Sequence, residues 1–397
     1  MEGRRRTFCT IFPNYRDYHF FKDPGQIPYR FSKLGYDTSI VCYSDSEDFP
    51  ETQKHIRLNT IADRYISRKF NSGILWYLVV NARKIDILNI FHFSWNSLLF
   101  AFIYKTLNNR GFAYLKLDHC AFADESEYKL YPHRNNPLDF SGAKRKGKVK
   151  YYIAIHCLAR KVDLWSAEDE DTCGLLEDRY DFFKGRLITV YNGHTADLTG
   201  EELNVSTLKK SDIIMTAGRL GIHQKATEIL LEAFIRVASS SRYDLHLAGT
   251  IDPSFDEYIN TFFQNNPSLR DRIVFHGSLG RLELFQLYSR SRIFCLPSRY
   301  ETLANVFPEA MYFRNVIVTT ENVSLMPVIR KTGAGLIVKR DDSEALAEAL
   351  LWLINNPALI DQMSALSHEI SSDLLNWDSI VTSLNGRIEE MQTGRRK

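Results

Sequence analysis

Short apolar runs alternate with amphipathic segments along most of the 397-residue chain. That rhythm reads as repeated strand–helix units and hence as parallel sheets. It is clearest in the second half. Ile213-Ile214-Met215-Thr216-Ala217 reads as a buried strand, followed by a polar turn and by Ile229, Leu230, Ala233, Phe234 and Val237 at helical spacing. Further strands are expected at 245–248, 273–275, 293–296, 316–319 and 336–338, with helices at 282–288, 343–354 and 357–371. The first half repeats the theme less regularly. Strands are expected at 7–12, 38–42, 87–91, 114–117, 162–165 and 187–190, and helices at 27–34 and 96–107. Residues 193–208 lack apolar periodicity and read as a linker, and an amphipathic segment at 377–391 closes the chain. The fold class expected is α/β, two Rossmann-like domains facing across a cleft. The domains run 1–200 and 206–376, with 377–397 returning to the first. In such sheets ligands sit beyond the carboxyl ends of the strands.

Composition narrows the class. Hydrophobic residues make up 44% and charged residues 25%, a globular profile. The six cysteines (Cys9, Cys42, Cys120, Cys157, Cys173, Cys295) contain no C-x-x-C pair. That speaks against zinc and against a disulfide framework, and fits a reducing compartment. With no apolar run near the length of a membrane span and no signal segment before Thr7, a cytoplasmic location is expected. Residues 1–200 hold 29 Lys/Arg against 24 Asp/Glu, a net +5 concentrated at Lys144, Arg145, Lys146, Lys148 and Lys150. This cluster suits a phosphate-bearing ligand or the anionic inner face of a membrane, and equally a solvated helix start. Without interleaved aromatics it does not suggest nucleic acid.

Two segments carry chemistry. In Pro297-Ser-Arg-Tyr-Glu301-Thr-Leu-Ala-Asn305-Val-Phe-Pro-Glu309, a strand end runs into a loop and a helix start near Asn305, a residue suited to an N-cap. The amides of Leu303, Ala304, Asn305 and Val306, with the helix dipole, suit a phosphate. Carboxylates accept from hydroxyls instead, so Glu301 and Glu309 on either side point to a ligand with hydroxyls flanking a diphosphate: a nucleotide sugar. In Gly218-Arg219-Leu-Gly221-Ile-His-Gln-Lys225, two cations sit on one strand-to-helix turn, where they can neutralise a departing diphosphate. Each feature alone is more often a surface charge or a helix-start carboxylate; their conjunction carries the reading. No P-loop pattern is present, so ATP-type binding is not expected. Glu168-Asp-Glu-Asp171 holds a D-x-D string that could suggest a metal, but it reads as the acidic first turn of a surface helix. No metal site and no cofactor beyond the co-substrate are expected.

Segment 211–355 resembles the retaining GT-B glycosyltransferases of the "group 1" type, often called family 4. The matching pieces are Gly218-Arg219 with Lys225, Leu247-Ala248-Gly249, Phe275-His276-Gly277, Leu284 to Tyr288, Leu296-Pro297-Ser298 and Glu301-x7-Glu309-Ala310-Met311, in matching order and spacing. The resemblance implies that Arg219 and Lys225 bind the donor diphosphate. It implies that Glu301 meets the donor sugar beside the Leu303, Ala304 and Asn305 amides, that Glu309 holds the ribose, and that Leu279 faces the base. More weakly, Gly25 looks like a remnant of the family's glycine-rich loop, and Asp118-His119 sits where the family has a polar residue near the reacting centre. The chain departs from the family at Tyr312-Phe313-Arg314-Asn315 and around 320–324. The function implied is metal-independent, retaining transfer from a nucleotide diphosphate sugar, UDP- rather than GDP-linked, to a hydroxyl of a glycan or lipid-linked glycan. The alternatives are a GT-B-fold sugar-nucleotide epimerase, which needs no acceptor, and a non-catalytic subunit of a glycan-assembly complex, which would not hydrolyse the donor.

Overall fold

The computed structural model describes residues 4–44, 48–62, 68, 71–117, 153, 157–198 and 209–394. The chain forms two compact units, one of Met1–Tyr191 with Trp377–Lys397, the other of Asn192–Asn376.

The first unit carries seven strands: β1 (Thr7–Ile11), β2 (Asp37–Ser44), β3 (Arg57–Ala62), β4 (Ile87–Phe91), β5 (Phe112–Lys116), β6 (Leu164–Ala167) and β7 (Leu187–Thr189). They form one sheet in the order β3-β2-β1-β4-β5-β6-β7, every pair parallel. Its helices are α1 (Asp23–Lys33), α2 (Pro50–Gln53), α3 (Ser72–Asn81), α4 (Trp95–Leu107) and α5 (Glu170–Arg179). Such a sheet must be covered on both faces. On one face Leu78, Leu98 and Tyr104 pack over Ile11, Ile90 and Leu115. On the other, Ile27 and Phe31 of α1 join Trp377, Ile380 and Leu384 of the last helix over Phe8 and Ile87.

The second unit has β8 (Ile213–Ala217), β9 (Asp244–Ala248), β10 (Ile273–Gly277), β11 (Ile293–Leu296), β12 (Val316–Thr320) and β13 (Gly335–Val338), ordered β10-β9-β8-β11-β12-β13 and all parallel. Its helices are α6 (Thr227–Ser240), α7 (Asp256–Asn265), α8 (Arg281–Arg290), α9 (Val306–Tyr312), α10 (Met326–Thr332), α11 (Ser343–Ile354) and α12 (Pro357–Asp373); α13 (Trp377–Gly394) belongs to the first unit. In both sheets the strand order reverses beside the first strand, between β1 and β4 and between β8 and β11. These two points define where each unit opens at its strand ends. Both units are Rossmann-like, as the strand–helix alternation implied.

Several expectations are corrected. Strand β3 and helices α2, α3, α7 and α10 were not anticipated. β3 has no buried residue, so its sequence shows no core-facing run. Residues 193–198, the start of the segment read as linker, belong to the second unit, where His194 donates its backbone N–H to the Leu375 carbonyl at 2.9 Å. The acidic string 168–171 opens a helix as expected, with Glu170 and Asp171 exposed in its first turn, but its first two residues are buried. Asp169 is the N-cap of α5, accepting from the Thr172 N–H at 2.7 Å. Glu168 is buried and accepts from Lys116 Nζ at 3.0 Å.

Lys116 ends β5 with its side chain fully buried, 3.7 Å from Asp23 as well. Burial pushes its pKa down, but the carboxylates of Glu168 and Asp23 outweigh that and hold the ammonium charged. Removing one partner of such a buried pair strands the other charge, which costs about 3–5 kcal/mol. Lys116→Met should lower stability by about that amount in urea unfolding, and adding Glu168→Gln should restore part of it. A single-mutant loss below about 1 kcal/mol would show that the pair does not organise this edge of the sheet.

Candidate active site

The turn after β8 is shaped by glycine. Gly218 has φ 153° and Gly221 φ 81°, and a Cβ on Gly221 would lie 2.3 Å from Phe255 Cβ. The neighbouring strand end is tighter still. Gly249 has φ 133°, and a Cβ there would meet the Gly218 carbonyl oxygen at 1.7 Å. The Ala217-Gly218 and Ala248-Gly249 ends are thus pressed backbone to backbone, with the Gly218 N–H donating to the Ala248 carbonyl at 3.0 Å. From this platform Arg219 projects into solvent and, among the described residues, has no ion-pair partner. A single 3-10 turn, His223–Lys225, follows. Then Ala226, left-handed at φ 48°, redirects the chain into α6.

Lys225 turns back into the site. Its ammonium forms an ion pair with Glu301, which follows β11, and both side chains are largely buried. Glu301 also accepts from Gln224 Nε2 at 3.1 Å and from the Ser298 hydroxyl at 3.3 Å. Its backbone is fixed by the Glu301 N–H to the Asn322 carbonyl (2.9 Å) and the Ser324 N–H to the Glu301 carbonyl (3.1 Å). Arg299 clamps the two loops: it donates to the His223 carbonyl, to Glu228 and to Asp341, each at 2.6 Å. The turn after β8 and the loop after β11 therefore meet at the reversal of strand order. A small recess there is lined by Gly218, Arg219, Lys225, Thr227 and Pro297.

Glu309 lies within α9, which starts after Asn305. It is buried and accepts from Arg281 Nη2, the first residue of α8, at 3.1 Å. Burial raises the Glu309 pKa and Arg281 opposes the rise. Asn305 does not cap the helix as expected. Its backbone is already helical, its side chain accepts no cap bond and its buried Oδ1 has no hydrogen-bond partner among the described residues. The Leu303 carbonyl instead accepts from Asn192 Nδ2 at 3.0 Å, and the His194 ring lies against Tyr312, tilted by 30° with centroids 4.2 Å apart. Ala304 is partly buried in the loop before α9, and Leu279 sits in the loop between β10 and α8.

The structure thus brings Gly218, Arg219, Lys225 and Glu301 to one strand-end turn, and puts Glu309, Leu303, Ala304 and Asn305 on the loop and helix that follow Glu301. The sequence reading missed Gln224, Ser298 and Arg299 around Glu301, and Arg281 on Glu309. Only the Gly277-Ser-Leu-Gly280 turn hinted that Arg281 would open a helix. Asp118, His119 and the basic residues Lys144, Arg145, Lys146, Lys148 and Lys150 lie outside the described residues.

In the first unit, Gly25 falls in the first turn of α1 rather than in an open loop. A Cβ there would lie 2.3 Å from Phe20 Cα, so close packing requires the glycine. Beyond β1 and β4 lies a cavity of ≈ 610 Å³ lined by Phe12, Tyr18, His19, Phe91, His92 and Asn96 among others. His92 holds a left-handed backbone, φ 62°, a conformation that non-glycine residues rarely adopt and that clusters at functional sites. His19 accepts the Arg16 N–H on Nδ1 at 2.8 Å. Burial, with Lys22 nearby, lowers its pKa to about 4, so its ring is neutral at physiological pH with the proton on Nε2. Neither histidine was singled out in the sequence.

The fold is thus two Rossmann-like units, the second with a cation–carboxylate pair where its strand order reverses. Residues 211–356 match the family model described as glycosyl transferases group 1. Among relatives, the chain is 23% identical over 335 residues to an uncharacterised 41.2 kDa protein in the cps region of Klebsiella pneumoniae, covering 79% of this chain and 82% of that one. It is 24% identical over 200 residues to the capsular polysaccharide biosynthesis glycosyltransferase CapM of Staphylococcus aureus, covering 48% of this chain and 50% of CapM. The solved structure of Anabaena HepE with UDP and glucose superposes with a TM-score of 0.67 at 14% identity, covering 97% of this chain and 100% of that one. Residues 211–356, most of the second unit, thus carry a group 1 glycosyltransferase domain.

The contact between the two strand ends makes a direct prediction. Gly249→Ala adds a methyl group into a backbone carbonyl at a disfavoured φ, so it should destabilise the second unit by more than about 2 kcal/mol. Thermal unfolding checks this; a melting curve like the wild type's would mean the turn is not pressed as described.

Proposed function

We propose that the protein transfers a hexose from a UDP-sugar to a hydroxyl of a glycan or lipid-linked glycan, with retention of configuration and without a metal ion. The observation that carries this reading is the convergence of Arg219, Lys225 and Glu301 at the reversal of strand order in the second unit. Similarity to a protein solved with UDP and to a capsular polysaccharide enzyme supports the choice of donor and acceptor class.

In this reading Arg219 and Lys225 hold the diphosphate. An ammonium has three donors and Glu301 engages one of them, so Lys225 can serve Glu301 and a phosphate oxygen together. Glu301, fixed by Gln224 and Ser298, accepts from donor-sugar hydroxyls. Glu309, held by Arg281, meets the ribose, and Leu279 the base. The bond between the anomeric carbon and the β-phosphate oxygen breaks, and its electron pair leaves with the phosphate. Fixed cations stabilise that charge without reorganising. The acceptor oxygen bonds to the anomeric carbon from the same face and passes its proton to the departing phosphate. The first unit's cavity suits the acceptor. Its rings offer flat apolar faces to a sugar, and His19 offers an Nε2 donor.

Arg219→Ala and Lys225→Ala should each lower turnover by about 10²–10³, the usual cost of losing a donor to developing charge. The readout is nucleoside diphosphate release, with circular dichroism confirming the fold; wild-type rates in both would refute the assignment. A second expectation concerns stereochemistry and metal. With fixed cations supplying the charge, transfer should survive excess EDTA, and NMR of the first product from an α-linked donor should show an α linkage. A β product, or activity lost in EDTA and restored by magnesium or manganese, contradicts the proposed mechanism.

A further inference from the structure

Helix α3 buries Ile74 and Leu78 against the first sheet and turns a second apolar side outward. Trp76, Val79 and Val80 are 68%, 49% and 54% exposed. They stand at i, i+3 and i+4, so they share one side of the helix. The same spacing continues into the 3-10 turn Ala82–Lys84, where Arg83 and Lys84 are also exposed. One water-facing stripe thus reads Trp, Val, Val, Arg, Lys. Arg4 lies at its basic end, donating to the Lys84 carbonyl at 2.8 Å, with Asp86 3.8 Å away as the acidic residue there.

Surface helices normally expose polar residues on this side, and a contiguous exposed apolar stripe marks an interaction site. What covers it follows from size and charge. One indole and two valines on a ten-residue helix fall well short of the roughly 800 Å² per partner that a stable protein pair buries. A bilayer interface needs no matched partner surface. It takes tryptophan at headgroup depth, and anionic headgroups attract arginine and lysine at the rim. No helix among the described residues is long and apolar enough to cross a membrane, so this one would lie in the interface plane.

We propose that α3, with Arg83 and Lys84 at its end, docks this protein on an anionic lipid bilayer. The inference concerns where the protein works and needs nothing of the donor-site reading. It is distinct from the basic residues 144–150.

Co-sedimentation with vesicles tests it. The wild type should pellet with phosphatidylcholine vesicles containing phosphatidylglycerol, less so at high salt, and stay in solution with phosphatidylcholine alone. The triple variant Trp76→Ser, Val79→Ser, Val80→Ser should lose at least about tenfold in partition, and so should Arg83→Glu with Lys84→Glu. Their melting curves should be unchanged, since these side chains face water. Trp76→Phe should retain most binding while removing most of the vesicle-induced blue shift of tryptophan emission, which keeps the test decisive if the triple variant folds poorly. Three results would overturn the proposal. The wild type could ignore anionic vesicles at low salt. The variants could bind as the wild type does, with the emission shift unaffected. Ultracentrifugation could reveal a dimer that the serine variant dissociates, which would assign the stripe to a second copy of the chain.

Discussion

The Lys225–Glu301 ion pair is the interaction around which the second unit's site is organised. Both groups are taken largely out of water, which neither tolerates alone. Each is therefore held by further contacts: Gln224 and Ser298 on the carboxylate, and Arg299 on the loops that carry the two residues. The pair spans 76 positions of sequence and joins the turn after β8 to the loop after β11. Those two strands flank the point where the strand order reverses, so the pair marks where the sheet opens at its carboxyl end. A cation placed there is preorganised: it is charged, fixed and partly shielded before any anion arrives, the condition under which electrostatic stabilisation is strongest.

The same geometry explains why glycine is needed where it occurs. The Lys225 turn can lie over the strand ends only if β8 and β9 finish nearly touching, and the Gly218–Gly249 contact leaves no room for a side chain. A strained non-glycine backbone marks the equivalent reversal in the first unit, at His92 after β4. The two units are thus built alike, each opening at the end of its central strands. They differ in what lines the opening: Arg219 and Lys225 in the second, and several aromatic rings with the neutral His19 imidazole and Arg68 in the first.

Much of this was legible in the sequence. Buried parallel strands appear as mainly apolar runs, so β1, β4, β5, β8, β11 and β12 announced themselves. Gly218, Arg219, Lys225 and Glu301 were legible because a turn confines them to neighbouring positions or because their spacing resembles a known family. What was hidden depends on long-range pairing. Arg281 and Glu309 are 28 positions apart, and Lys116 and Glu168 are 52 apart. No local pattern distinguishes such a buried partner from a surface charge. Asn305 shows the opposite error: a good cap by residue type, overruled by its own helical backbone conformation. The edge strand β3 was invisible because it has no buried residue.

The central claim is that Glu301 and Glu309 grip different parts of one nucleotide-sugar donor. Isothermal titration calorimetry with UDP and with a UDP-hexose tests it most directly. Glu309→Gln should weaken both ligands alike, because the ribose is common to them. Glu301→Gln should weaken the UDP-hexose far more than UDP, because only the former carries the sugar. If the two variants lose affinity in the same pattern, or neither loses any, the division of the donor between these carboxylates is wrong.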